Sequence, residues 1–154
     1  FRDAEPDGAI GYAALARWFQ HEGDSQFALQ LLDDGIKHAE DWKSNTFFLA
    51  TRVNALIELG EFDKAEQTFA KWPASEKQGY EYWLTCGTVL QEVRGEIEEA
   101  IKAYDAALAV WPGPVDWRTM NRKRCASYNS CQRLRLSSHQ RGGRCVAAGA
   151  CVCG

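Results

Sequence analysis

Apolar positions recur with a helical period through most of this chain, and the clearest case runs from Tyr82 to Pro112. There Trp83, Cys86, Gly87, Leu90 and Val93 fall on one helical face, and Ile97, Ala100, Ile101, Tyr104, Ala107 and Leu108 fall on another. Gly95 separates the two patterns and Pro112 stops the second. The same spacing predicts a helix from about Ala9 to His21, with Tyr12, Leu15, Ala16 and Phe19 inward. A second is expected from Ser25 to His38, on Phe27, Ala28, Leu31, Leu32 and Ile36, after a turn at Gly23 and a cap at Asp24. Ser44 or Asn45 can cap a third helix carrying Phe48, Leu49, Val53, Leu56 and Leu59. Its partner, Phe62 to about Lys71, packs through Phe62, Ala65 and Phe69 and is about one turn short. Ser75 and Gln78 have the spacing of a capping box for the helix that follows.

These helices are related to one another. GDSQFALQLL from Gly23 and GEFDKAEQTF from Gly60 align with GEIEEAIKAY from Gly95. The alanines they share, Ala28, Ala65 and Ala100, are 37 and 35 residues apart. A period of that size marks a stack of helical hairpins, each burying its apolar stripe against its neighbours.

The stretch with Trp83, Gly87, Gly95, Ala100, Tyr104, Ala107 and Pro112 resembles a tetratricopeptide repeat. Its run from Gly87 to Gly95 is one residue longer than the spacing usual in that family. The resemblance implies an all-α, right-handed solenoid of antiparallel helix hairpins. About three repeats span residues 9–112, with a truncated fourth behind them. In such solenoids the first helix of each pair lines a concave groove where extended peptides dock. The groove positions implied here are Ala13, Arg17 and Gln20, then Ala50, Asn54 and Ile57, then Leu84, Thr88 and Gln91. Arg17 and Asn54 are its best-placed polar contacts. Relatives that bind chaperones clamp a carboxylate with Lys, Arg and Asn, but here Ala13, Thr51, Glu81 and Thr85 occupy those stations. The groove does not match that clamp.

Composition divides the chain. Through Arg122 there are 12 basic and 21 acidic residues, whereas from Lys123 onward there are six basic and none acidic. Five of the six cysteines also lie in that second piece. A helix is due around VDWRTMNR, with Trp117, Met120 and Asn121 at repeat positions, but no sustained period follows Lys123. The expected organisation is therefore an N-terminal loop over 1–8, helical repeats over 9–122, and an irregular tail over 123–154, disordered or non-native in sequence. The absence of an initial Met suggests an incomplete N-terminus, and the chain shows no signal peptide or membrane-length apolar run. A cytoplasmic location is the corresponding expectation.

Catalytic signatures are missing. The chain contains no phosphate-binding Gly-Lys-Ser/Thr loop, no H-E-x-x-H, no G-x-S-x-G and no C-x-x-C. His21 and His38 read as residues of helix C-termini, and Glu96, Glu98 and Glu99 as a solvated first turn. Cys86 reads as a buried inert thiol. Cys125, Cys131, Cys145, Cys151, Cys153 and His139 lack zinc-knuckle spacing, and a disulfide framework is at odds with the cytosolic look of the repeats. The expectation is a non-catalytic protein–protein interaction scaffold with no cofactor and no metal. It takes a protein or peptide partner, with no nucleic acid and no membrane, and self-associates through its uncapped C-terminal repeat. The alternative is a regulatory or scaffolding segment of a larger enzyme.

Overall fold

Three glycines set the path of the chain. Gly23, Gly60 and Gly95 all take the left-handed conformation (φ 87°, 75° and 70°), which costs a residue without Cβ little. Each closes a helix and reverses the chain, and each is followed by an acidic residue. At the first two turns the next backbone N–H reaches back five residues, Asp24 to the Phe19 carbonyl (2.9 Å) and Glu61 to that of Leu56 (2.8 Å). At the third it reaches back six, from Glu96 to Leu90 (2.8 Å), because residues Leu90–Arg94 form a π turn. That wider turn absorbs the extra residue between Gly87 and Gly95.

The computed structural model describes residues 8–111, 113–114 and 119–128. Helices α1 (Gly8–His21) and α2 (Ser25–His38) form the first hairpin, and α3 (Thr46–Glu58) and α4 (Phe62–Ala70) the second. The third pairs α5 (Tyr80–Val89), extended by the π turn, with α6 (Ile97–Val110). A further helix, α7, covers 119–128, and no strand occurs among the described residues. The fold is all-α and built from successive helix hairpins. Asp24 and Asn45 cap α2 and α3, accepting from the backbone N–H of Phe27 and Phe48 at 3.0 Å. Ser75 does not cap α5: it lies in a short 3-10 turn (Ala74–Glu76), and Gly79 holds the N-cap without a side-chain bond. The expected N-terminal loop up to residue 7 and the repeat position of Trp117 lie outside the described residues.

The early end of α4 has a packing cause. It lets Trp72 turn inward and bury against Leu49 and Ala50. Its ring meets Phe69 (5.9 Å between centroids) and Tyr82 (5.9 Å), and Phe69 and Tyr82 stack at 5.4 Å. A large aromatic thus fills the space that a further turn of helix would take. Leu59 and Phe62, expected inside, stand instead on the surface beside the second turn.

Successive hairpins stack in chain order: α3 packs on both α1 and α2, and α5 on both α3 and α4. One contact recurs at each step. Ala55 of α3 buries with Ala16 and Ala28 of the first hairpin. Val89 of α5 buries with Val53 and Ala65 of the second. Ala126 of α7 buries with Ala100 of the third. The alanines that define the sequence period thus each share a buried cluster with apolar side chains of the next helix.

The third contact revises the boundary read after Arg122. Helix α7 passes through it, with Cys125 and Ala126 buried and Lys123 paired with Asp105. Cys125 is also disulfide-bonded, contrary to the expectation of unpaired thiols. Residues 129–154, and with them the remainder of the expected tail, lie outside the described residues.

Two substitutions test this packing. A Cβ at Gly87 would stand 2.5 Å from Cε1 of the buried Tyr104 ring, so Gly87→Ala is expected to lower stability by roughly 1–3 kcal/mol. Ala126→Leu overfills the groove above Ala100 and is expected to cost a similar amount, roughly 1–3 kcal/mol. Thermal melts followed by circular dichroism read both. An unchanged midpoint for Ala126→Leu would place α7 outside the cooperative fold.

Candidate functional site

The first helices of the three hairpins lie side by side, since α3 packs on α1 and α5 packs on α3. Close approach is made by small residues: Ala13 and Ala50 are buried between the helices, as are Thr51 and Thr85. Threonine tolerates burial here because its hydroxyl can bond within its own helix. Thr51 donates to the Phe47 carbonyl (2.8 Å) and Thr88 to that of Leu84 (3.0 Å). An apolar period alone does not reveal such residues. The stripe expected on α5 accordingly differs from the buried set, which is Leu84, Thr85, Gly87, Thr88 and Val89. Trp83 and Leu90 are partly buried against the third hairpin and Val93 against the second, while Cys86 is half-buried.

The residues expected to line a groove divide in two. Leu84 and Thr88 are buried, because α5 is covered on more than one side, and they offer a partner almost no surface. Arg17, Gln20, Asn54, Ile57 and Gln91 are half-buried. The Arg17 guanidinium lies over the Phe47 ring (5.2 Å), and Gln20 Nε2 donates to Glu58 Oε2 (3.4 Å), which also accepts from Ser25. Ile57 rests against the cluster of Val53, Leu56, Ala65 and Val89. Ala13, Thr51 and Thr85, three of the four stations of a carboxylate clamp, are buried, so small size and packing account for them.

At the C-terminal end of this face the polar residues form a network. Tyr104 donates its hydroxyl to Gln91 Oε1 (2.9 Å), and Arg122 Nη1 donates to Thr88 Oγ1 (2.6 Å). Arg122 is not among the residues expected to line the groove. The docking of α7 shows in the structure, where Ala126 buries with Ala100 and Lys123 pairs with Asp105, but the sequence pattern fades at that point. Tyr80 and Thr119 share a hydroxyl–hydroxyl bond of 3.0 Å that fixes the start of α7 on α5.

Charge and chemistry elsewhere are modest. Burial raises the Cys86 thiol above its ordinary value, and the Arg94 charge opposes this. Arg94 itself is held by Glu66 (2.6 Å). His21 and His38 end α1 and α2, and Glu98 and Glu99 sit in the first turn of α6, with Glu99 bonded to Lys102 (2.6 Å). Among the described residues no three His, Cys, Asp or Glu side chains come together as metal ligands, and no helix is long and apolar enough to cross a membrane.

The end of the third hairpin is covered in part. Ile97 and Tyr104 are buried and Ile101 is packed inward, while Val110, Trp111 and Met120 remain exposed. Trp111 lies against Tyr80 at 4.6 Å and donates its indole N–H to the Pro114 carbonyl (2.7 Å).

The Tyr104 network has a pH signature. Burial pushes the phenol above its ordinary 10.0, against the opposing influence of Thr88 and Arg122. The fold therefore holds the neutral phenol. The unfolded chain ionises first, so this contribution is complete below about pH 10 and is lost as pH rises towards the higher folded value. Tyr104→Phe, which removes the bond to Gln91, is expected to cost about 0.5–1.5 kcal/mol at neutral pH. Denaturant titrations of the two proteins should then converge as the pH is raised past 10.

No family model matches this chain, and no curated protein matches it.

Proposed function

We propose that the chain is a tetratricopeptide-like solenoid segment that acts as a non-catalytic scaffold, holding an extended peptide or partner surface along its first helices. The recurring burial between successive hairpins carries this reading: Ala55, Val89 and Ala126 each share a buried cluster with the alanine of the preceding hairpin. A stack built this way presents α1, α3 and α5 as one continuous face, and such faces suit elongated partners. Half-buried Arg17, Gln20, Asn54 and Gln91 supply polar contacts on it, and Ile57 supplies an apolar one. Arg122 extends the polar set to α7.

The face is polar and carries both signs of charge, with Arg17 and Arg122 set against Glu58. Recognition would then rest on shape and hydrogen bonding to main chain more than on a single charged clamp. Selection of a random peptide library against the immobilised protein tests this. Binders are expected to lose about tenfold or more in affinity to Asn54→Arg or Ile57→Glu, as interface residues do when they are replaced by groups that clash. Glu99→Lys, on α6, should leave their affinity unchanged. Binders indifferent to both groove substitutions would overturn the assignment of this face.

A further inference from the structure

Three basic side chains tie one hairpin to the next, and each ends on a carboxylate. Arg52 of α3 reaches Asp33 of α2 (2.5 Å), Arg94 reaches Glu66 of α4 (2.6 Å), and Lys123 of α7 pairs with Asp105 of α6. The first and last of these hold equivalent stations. Arg52 and Lys123 precede Ala55 and Ala126 by three residues, and Asp33 and Asp105 follow Ala28 and Ala100 by five. Arg122 makes a further tie, from α7 to α5, but it ends on a hydroxyl: its Nη1 donates to Thr88 Oγ1 at 2.6 Å. Among the described residues no carboxylate pairs with it. Residues 123–154 contain no Asp or Glu, so none of their side chains can supply one.

The groups around this guanidinium have spent their acceptors. Thr88 gives its own proton to the Leu84 carbonyl (3.0 Å) and takes the Arg122 bond on its oxygen. Tyr104, almost fully buried, gives its proton to Gln91 Oε1 (2.9 Å). The Arg122 charge and the Thr88 hydroxyl both act on the Tyr104 phenol, so the four side chains form one cluster. What the cluster has left to offer is donors. A guanidinium carries five N–H groups in a planar fork, and an amide whose oxygen is engaged keeps its two N–H groups. Arg122 and Gln91 are both half-buried, so the positive charge has lost part of its water without gaining a counter-charge. A carboxylate is the complement: it is planar, accepts on two oxygens and carries one negative charge. A phosphate monoester carries more charge than a single guanidinium neutralises.

We propose that Arg122 and Gln91 together bind a carboxylate of the peptide that lies along the first helices, and so fix the register of that peptide at the α7 end of the face. The site presupposes that this face takes a peptide, as proposed above. It adds one ionic anchor to contacts made mainly with main chain.

Peptides selected from a random library against the immobilised protein, and sorted by loss of affinity to Asn54→Arg, are the probes. They are expected to share an Asp or Glu at one position, or to need a free C-terminus. Replacing the acid by its amide, and amidating the C-terminus, tell these two sources apart. Loss of the carboxylate should weaken binding to the parent protein by about tenfold, and added salt should shrink that difference. Gln91→Glu keeps an oxygen for Tyr104 and gives Arg122 a carboxylate from within the chain. Its helical circular dichroism and melting midpoint are expected to hold, while the tenfold advantage of the peptide carboxylate disappears. Arg122→Gln should abolish the same advantage. Probes that depend on Asn54 yet show no carboxylate effect would overturn the site and leave the peptide face standing. An effect that survives both Gln91→Glu and Arg122→Gln would overturn it as well. Selected peptides that are all indifferent to Asn54→Arg and Ile57→Glu would remove the face, and the site with it.

Discussion

The burial of Ala28, Ala65 and Ala100 where successive hairpins meet is the constraint on which the stack depends. Ala28, Ala65 and Ala100 are each fully buried, and a larger residue at any of them would separate two hairpins rather than merely crowd one. This constraint explains features that otherwise look unrelated. It requires a sharp reversal before each second helix, which the left-handed glycines provide. It requires small residues where first helices run side by side, which Ala13, Ala50, Thr51 and Thr85 provide. Where α4 ends early, Trp72 and Tyr82 fill the gap.

Most of this was legible in the sequence because the repeat leaves a mark three times over. The glycine–acidic pair, the alanine that follows it and the helical stripes together define the hairpins and their order. What stayed hidden has physical reasons. Thr51 and Thr88 bury because a hydroxyl can bond inside its helix, and apolar periodicity is blind to that. Ser75 and Gln78 had the spacing of a cap, but Trp72 draws the linker inward and leaves Gly79 at the helix start. Leu59 and Phe62 fit the helical period yet sit beside a turn, where the stack offers nothing to cover them.

The partner-binding face was legible only in outline. Arg17, Gln20, Asn54, Ile57 and Gln91 are partly accessible, and their spacing along the first helices was enough to group them. Leu84 and Thr88 were grouped with them by the same spacing, but both are buried, as Ala13 and Ala50 are on the earlier helices. Arg122 escaped notice because it lies where composition changes sharply. Composition reports the average character of a segment, whereas docking of α7 turns on particular contacts of Thr119, Arg122, Lys123 and Ala126.

The π turn at Leu90–Arg94 shows which length this architecture holds constant. An extra residue in an α-helix rotates everything beyond it by about 100°. Here the rotation is taken up within five residues. Ala55 and Val89 are 34 residues apart, while the alanines they bury with, Ala28 and Ala65, are 37 apart. Val89 and Ala126 are 37 apart, and the alanines beneath them, Ala65 and Ala100, are 35 apart. The counts disagree, yet each pair still shares one buried cluster. One interval does not vary: each left-handed glycine precedes its alanine by five residues. Repeat length can therefore drift without disturbing the stack, provided that the drift falls ahead of the glycine or in the linker between hairpins. An insertion just after Gly95 would have no such refuge, because Ala100 follows within little more than one turn of helix.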